Sequence, residues 1–257
     1  MKVVILAGGQ GTRFAEETET RPKPMVEIGG QPIVLHIMKH YLRFGFSEFL
    51  LALGYKGEVI KRYFLDHLTL SRSMTLEFPE GIVTQHDGEE KENWTVHLID
   101  TGDDSGTGGR VKRLGPWLGN ERFMLTYGDG VSNLDLRGLL AFHERHGKTA
   151  TVSAVRPPAR FGGLEFEDEK PVRFTEKPQV GEGWINGGFM VFEPAILHLI
   201  EGDHASLETD VLEPLSKAGE VMAYPHYDFW HCMDTVRDAK YLRELWDTGK
   251  APWVSSS

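Results

Sequence analysis

Several residues of this chain are of the type, and at the spacing, to handle phosphate. The run Leu6-Ala7-Gly8-Gly9-Gln10-Gly11-Thr12-Arg13 puts three glycines in four positions and then a guanidinium. Glycine lets backbone N–H groups approach a polyphosphate unobstructed, and Arg13 adds a charged fork. A tight strand-to-helix turn without any ligand shows the same glycines, so the run needs context. Context follows in Arg21-Pro22-Lys23-Pro24-Met25, where two prolines of fixed φ hold one lysine and restrict where its ammonium points. Far along the chain Asp129 lies between Gly128 and Gly130, just past the apolar run 122–127. A carboxylate at a strand end either caps backbone N–H groups or binds a hard cation. Magnesium needs only one or two carboxylates when phosphate oxygens complete its shell. Arg13, Lys23, Arg110 and Lys177 are the cations that can converge on one cleft, making the local field favourable to phosphate despite a net charge of -10.

Two common nucleotide loops are missing. No G-x-x-x-x-G-K-[ST] occurs, and Phe14 stands where the dinucleotide fingerprint has its third glycine, which disfavours an NAD-dependent oxidoreductase.

The elements that position these residues follow from apolar spacing. Residues 2–7 form a β-branched run feeding the glycines, the pattern of a buried strand. The spacing predicts a helix over 32–44, a strand at 48–53, a helix over 57–68, strands at 95–100 and 122–127, and a helix near 135–146. This alternation predicts a largely parallel sheet. Shorter strand-like pieces at 151–156, 164–168 and 171–177 precede an apolar run at 189–193, so the second half has a more mixed sheet. Gly102 to Arg110 (GDDSGTGGR) reads as a polar loop, and Asn186-Gly187-Gly188 in isolation as a turn. His143 and His146 flank Glu144 on the predicted helix and read as surface residues, while Cys232 lacks a local base and reads as a packed thiol.

Composition sets the bounds. The 257 residues, 40% hydrophobic and 26% charged, suit one large domain, expected over 1–250 with a tail at 251–257. One cysteine excludes an intramolecular disulfide and fits a reducing, cytoplasmic setting. The acidic balance argues against nucleic-acid binding, and no run approaches the roughly 18 apolar residues of a membrane span.

Gly8-Gly9-x-Gly11-Thr12-Arg13 followed by Pro22-Lys23-Pro24 resembles the signature of the sugar nucleotidylyltransferases. Further segments are similar to the branch of that family that joins CTP to glucose 1-phosphate. They are Gly54-Tyr55-Lys56-Gly57, Asp100-Thr101-Gly102, Thr107-Gly108-Gly109-Arg110, Tyr127-Gly128-Asp129-Gly130, Glu176-Lys177-Pro178, Ile185-Asn186-Gly187-Gly188-Phe189 and Met233-Asp234-Thr235. His231-Cys232 departs from that pattern. The resemblance implies a Rossmann-like three-layer α/β sandwich with a mixed, mainly parallel central sheet, a nucleotide-binding half over about 1–130, a sugar-phosphate-binding half over about 131–250, and a homo-oligomer. It implies nucleotide contacts from Leu6, Ala7, Gly8, Gly9, Gly11, Thr12, Arg13, Lys23, Ser105, Arg110 and Gly128. Glu176, Lys177, Asn186 and Gly187 would then hold the sugar phosphate, and Asp129 and Asp234 a Mg2+ ion, with Arg13, Lys23 and Asp129 at the reacting centre.

The implied reaction needs no general base, because the attacking oxygen belongs to the sugar's own phosphate, whose second pKa lies near 6. Charge is the obstacle, so positioning, fixed cations and a metal ion are what the site must supply. The expectation is one direct displacement. Alternatives remain: the same chemistry with UTP, dTTP or a heptose phosphate, or a noncatalytic sugar-nucleotide sensor.

Overall fold

Val3, Val4, Ile5 and Leu6 are all buried, which a strand achieves only when both its faces are covered. That strand, β1 (Lys2–Leu6), is followed by α1 (Ile33–Arg43), β2 (Glu48–Leu53), α2 (Gly57–Leu70), β3 (Thr95–Asp100), α3 (Thr107–Arg113), β4 (Phe123–Tyr127) and the short β5 (Gly130–Ser132). Then come α4 (Leu136–His146), β6 (Ala150–Val155), β7 (Ile185–Phe192), β8 (Val221–His226), the short β9 (Trp230–Cys232) and α5 (Val236–Asp247). The computed structural model describes residues 1–9, 18–70, 73–86, 93–157, 163–167, 170–175 and 183–254.

Seven strands make the central sheet in the order β8-β6-β7-β4-β1-β2-β3. β7 runs antiparallel to both its neighbours, while the other pairings are parallel, so the expected mixed, mainly parallel α/β sheet is what forms. Successive side chains point to opposite faces, and each face has its own core. Val3, Ile5, Phe49 and Leu51 pack with Ile33, Ile37 and Leu242 on one side, and Val4, Leu6, Leu50 and Leu125 with Val111, Leu207 and Val211 on the other.

Four expectations change. The loop of residues 102–110 ends early: α3 begins at Thr107 and buries Gly108 to Val111, because Gly106 N and Gly108 N donate to Asp203 O and Ala205 O and dock it on that turn. Asn186-Gly187-Gly188 lies inside β7, at an irregularity in its pairing with β6 where the register shifts between Val152 and Ala154. His143 is not a surface residue: it is 1% exposed, with its ring nitrogens on Thr151 Oγ1 (2.7 Å) and Glu193 Oε1 (3.2 Å). The expected tail is packed as far as Trp253, which is 1% exposed and stacks on Phe229 at 5.5 Å.

Candidate active site

Ligands in open α/β sheets bind beyond the carboxyl ends of parallel strands, and the chemistry-bearing segments collect there. β1 and β4 run in parallel and end at Leu6 and Tyr127, and Gly128 N donates to Leu6 O at 3.0 Å. The glycine run and the Tyr127-Gly128-Asp129 turn therefore leave one sheet edge side by side. Of the expected site residues, Leu6, Ala7, Gly8, Gly9, Lys23, Ser105, Arg110, Gly128 and Asp129 line one cleft of about 370 Å³. Pro24, Gly106, Thr107 and Tyr127 also line it, though the sequence alone assigned them no role. The signal was in hand for Thr107 and Tyr127, each of which opens a motif already quoted. Gly11, Thr12, Arg13, Glu176 and Lys177 lie outside the described residues.

Asp234 is remote in sequence from Asp129 and reaches it through two short strands. β5 pairs antiparallel with β9, with Cys232 opposite Gly130, and Met233 N donates to Asp129 O at 2.8 Å. The chain then enters α5, whose capping box holds the turn: Thr235 accepts from Asp238 N, and the Asp238 carboxylate accepts from Asp234 N (3.1 Å) and Thr235 N (2.8 Å).

Lys23 sits in a short 3-10 turn, Lys23–Met25, and its ammonium donates to Asp129 Oδ2 at 2.7 Å and Asp234 Oδ1 at 2.5 Å. Burial alone would push this ammonium down; the charge and hydrogen bond of Asp129, then those of Asp234, hold it above the usual lysine range. Cys232 Sγ stands 3.4 Å from Asp234 Oδ2, and burial together with the Asp234 charge pushes the thiol up to about 12. It is a packed, protonated group and no nucleophile at neutral pH.

Arg110 is placed differently from a free phosphate ligand. It is 4% exposed, and its guanidinium donates to Gly8 O, Leu53 O, Thr101 Oγ1, Gly102 O and Asp103 O. It braces the glycine run against the 101–103 turn. Gly8 allows this approach, since a Cβ at that position would lie 2.2 Å from Arg110 Nη1 and 2.8 Å from the backbone nitrogen of Gly54. Asn186 and Gly187, on β7, are not among the residues that line this cleft. Asn186 Nδ2 donates to the Tyr127 hydroxyl at 3.4 Å, and Gly187 O accepts from Trp230 Nε1 at 2.6 Å.

The donor set suits a hard cation. Two carboxylates from turns far apart in the chain converge on one ammonium, so the same oxygens can reach one small cation, and their oxygen chemistry matches magnesium in a cleft where phosphate and water complete the shell. Among the described residues no group of three or more His, Cys, Asp or Glu side chains gathers to hold a metal, so the all-protein cages of structural sites are not formed by them. No described helix is long and apolar enough to cross a membrane.

Comparison with known proteins finds a family model and close relatives over nearly the whole chain. A model of the nucleotidyl transferase family matches residues 2–249. The chain is 48% identical over 254 residues to the glucose-1-phosphate cytidylyltransferase of Salmonella typhi, covering 98% of both proteins. It is 41% identical to the probable glucose-1-phosphate cytidylyltransferase of Bacillus subtilis, covering 98% of this chain and 99% of that one. Among solved structures, HddC from Yersinia pseudotuberculosis aligns with a TM-score of 0.69 at 25% identity, covering 95% of this chain and 99% of the other.

Proposed function

The chain belongs to the nucleotidyl transferase family, and from that premise we propose that it transfers the cytidylyl group of CTP to glucose 1-phosphate, forming CDP-glucose and pyrophosphate. The observation that carries the reading is the meeting of Lys23, Asp129 and Asp234 in a cleft walled by Gly8 and Gly9. It is the arrangement that transfer between two anions requires, with a fixed cation and a two-carboxylate metal position beside open backbone. The named activity of the cytidylyltransferase relatives supports the choice of CTP and glucose 1-phosphate.

An oxygen of the sugar phosphate attacks the α-phosphorus of CTP, the bridging bond to the β-phosphate breaks, and the electron pair leaves on pyrophosphate. One displacement inverts the phosphorus, and no residue need carry the nucleotide. Backbone at Gly8 and Gly9 lets the triphosphate approach closely, and Lys23 and Arg13 offset the charge that otherwise keeps the two phosphates apart. Magnesium, held by Asp129 and Asp234, would supply charge neutralisation on the α-phosphate and the departing pyrophosphate. Glu176, Lys177 and Asn186 complete the proposal as the sugar-phosphate side. A homo-oligomer belongs to it as well, supported by exposed Leu68 and Leu70 on α2 and exposed Phe78 and Val83 in the segment that follows it.

The test is pyrophosphate release with magnesium, crossing CTP, UTP, dTTP and ATP with several sugar 1-phosphates, and Asp129→Asn as control. Turnover confined to CTP with glucose 1-phosphate, reduced roughly 10²-fold or more in the control, is the expected result. A different preferred pair overturns the substrate assignment. No turnover alongside tight nucleotide binding overturns catalysis itself in favour of a sensor.

A further inference from the structure

One carboxylate that this chemistry does not use lies against the cleft wall. Glu208 sits in a π-helical turn, Leu207–Leu212, a widened helix geometry that recurs at functional sites. Its carboxylate accepts from Thr107 Oγ1 at 2.6 Å, from the Tyr127 hydroxyl at 2.5 Å and from Ser206 Oγ at 2.9 Å. Thr107 and Tyr127 both line the cleft and come from different elements, the start of α3 and the end of β4. A single side chain thus ties two walls together.

The protons in this cluster can be assigned. Burial alone would push the Glu208 acid up, but the hydrogen bonds from Thr107, Tyr127 and Ser206 hold it below the usual glutamate range, so it is a carboxylate at neutral pH and can only accept. The Tyr127 hydroxyl has one proton, and it points at Glu208 Oε1, 2.5 Å away, an acceptor with no proton to return. Only lone pairs are left on the Tyr127 oxygen for the cleft. The Asn186 amide is oriented to match: Gly188 N donates to Asn186 Oδ1 at 2.8 Å, which turns Nδ2 toward Tyr127. Gly188 permits the close fit, with φ +81 and space where a Cβ would stand 2.6 Å from the Tyr127 ring. Donation runs one way, from Asn186 to Tyr127 to Glu208, and Asn186 Nδ2 keeps a second N–H.

We infer that Glu208 is a positioning residue which polarises this chain, so that the Tyr127 oxygen and the second Asn186 N–H form an acceptor–donor pair for one ring hydroxyl of the sugar phosphate. The inference rests on the proposed reading of the Asn186 side as the sugar-phosphate subsite. A hydroxyl both donates and accepts and so completes the pair; a fluorine in its place cannot donate to Tyr127.

The experiment measures KM and kcat for glucose 1-phosphate and for analogues carrying fluorine at each ring hydroxyl in turn, in the wild type, Tyr127→Phe and Glu208→Gln. CTP affinity is titrated separately without sugar. The wild type is expected to show a KM penalty of roughly tenfold or more for one analogue. In both variants that penalty shrinks to about twofold while CTP affinity stays within about twofold, since the amide introduced by Glu208→Gln can donate to the Tyr127 oxygen and reverse the polarity. Tyr127→Phe removes one oxygen and carries the test should Glu208→Gln fail to fold. Wild-type turnover with an unchanged fluorine penalty in the folded variants overturns this inference alone, as does CTP affinity falling in step with sugar KM. A wild type that turns over no sugar 1-phosphate overturns the functional reading and this inference with it.

Discussion

With its ammonium between Asp129 and Asp234, Lys23 competes with any cation those carboxylates hold. Hydrogen bonds to charged groups contribute about 1.5–3 kcal/mol, so removing the ammonium frees the pair for a divalent ion by roughly tenfold or more. Lys23→Gln is therefore expected to bind Mn2+ more tightly than the wild type in the absence of nucleotide, read by electron paramagnetic resonance, while losing roughly 10²-fold in turnover. Metal affinity that stays level or falls would sink this account of the triad. Lys23 and Asp129 were legible as residues, the first from its flanking prolines and the second from its flanking glycines after an apolar run. Their direct contact was not, because it joins segments 106 residues apart in the chain. Glu208 carried no signal at all: nothing around it in Leu207-Glu208-Thr209-Asp210 marks a carboxylate that closes on Tyr127.

Among the elements, α1 shows most clearly what burial does to a titratable group. His40 is 4% exposed; its Nε2–H donates to Leu134 O at 3.0 Å, and its Nδ1 accepts from Arg43 Nη2 at 3.2 Å. The neutral ring fits both partners, whereas a second proton would have to face the guanidinium. Burial, and then the Arg43 charge, lowers the His40 pKa to about 4. A base whose folded pKa is lowered stabilises the fold above its unfolded value, near 6.5, and loses that stabilisation as pH falls toward the folded value. Unfolding free energy is expected to decline between pH 6.5 and about 4, by about 1.4 kcal/mol per pH unit for each such proton. His40→Gln should flatten that slope in denaturant titrations; an unchanged slope would assign the acid sensitivity elsewhere. The helix itself was readable from apolar spacing, and it forms at Ile33–Arg43 against an expected 32–44. Burial of its histidines was not, since His36 and His40 each reach a carbonyl outside the helix, Ile28 O and Leu134 O.

At the scale of the whole molecule, the segment after α5 closes one core. Trp253 stacks on Phe229, donates from Nε1 to His36 Nδ1 at 3.3 Å, and its carbonyl accepts from Arg43, as does that of Val254. Trp253→Ala should cost about 3–5 kcal/mol, the range for deleting a buried aromatic, measured by denaturant unfolding. A loss below about 1 kcal/mol would mean the segment is merely laid on the surface. By itself the sequence determined the α/β alternation, most element bounds and many of the residues that line the cleft, because apolar period, proline and glycine act over a few neighbouring residues. Only the tertiary structure decided that Asp234 meets Asp129 through β5 and β9, that Arg110 donates to four backbone oxygens and the Thr101 hydroxyl, and that Glu208 sets the direction of a hydrogen-bond chain. Each of those depends on which strand lies beside which, and neighbours across a sheet are chosen by the packing of both its faces together.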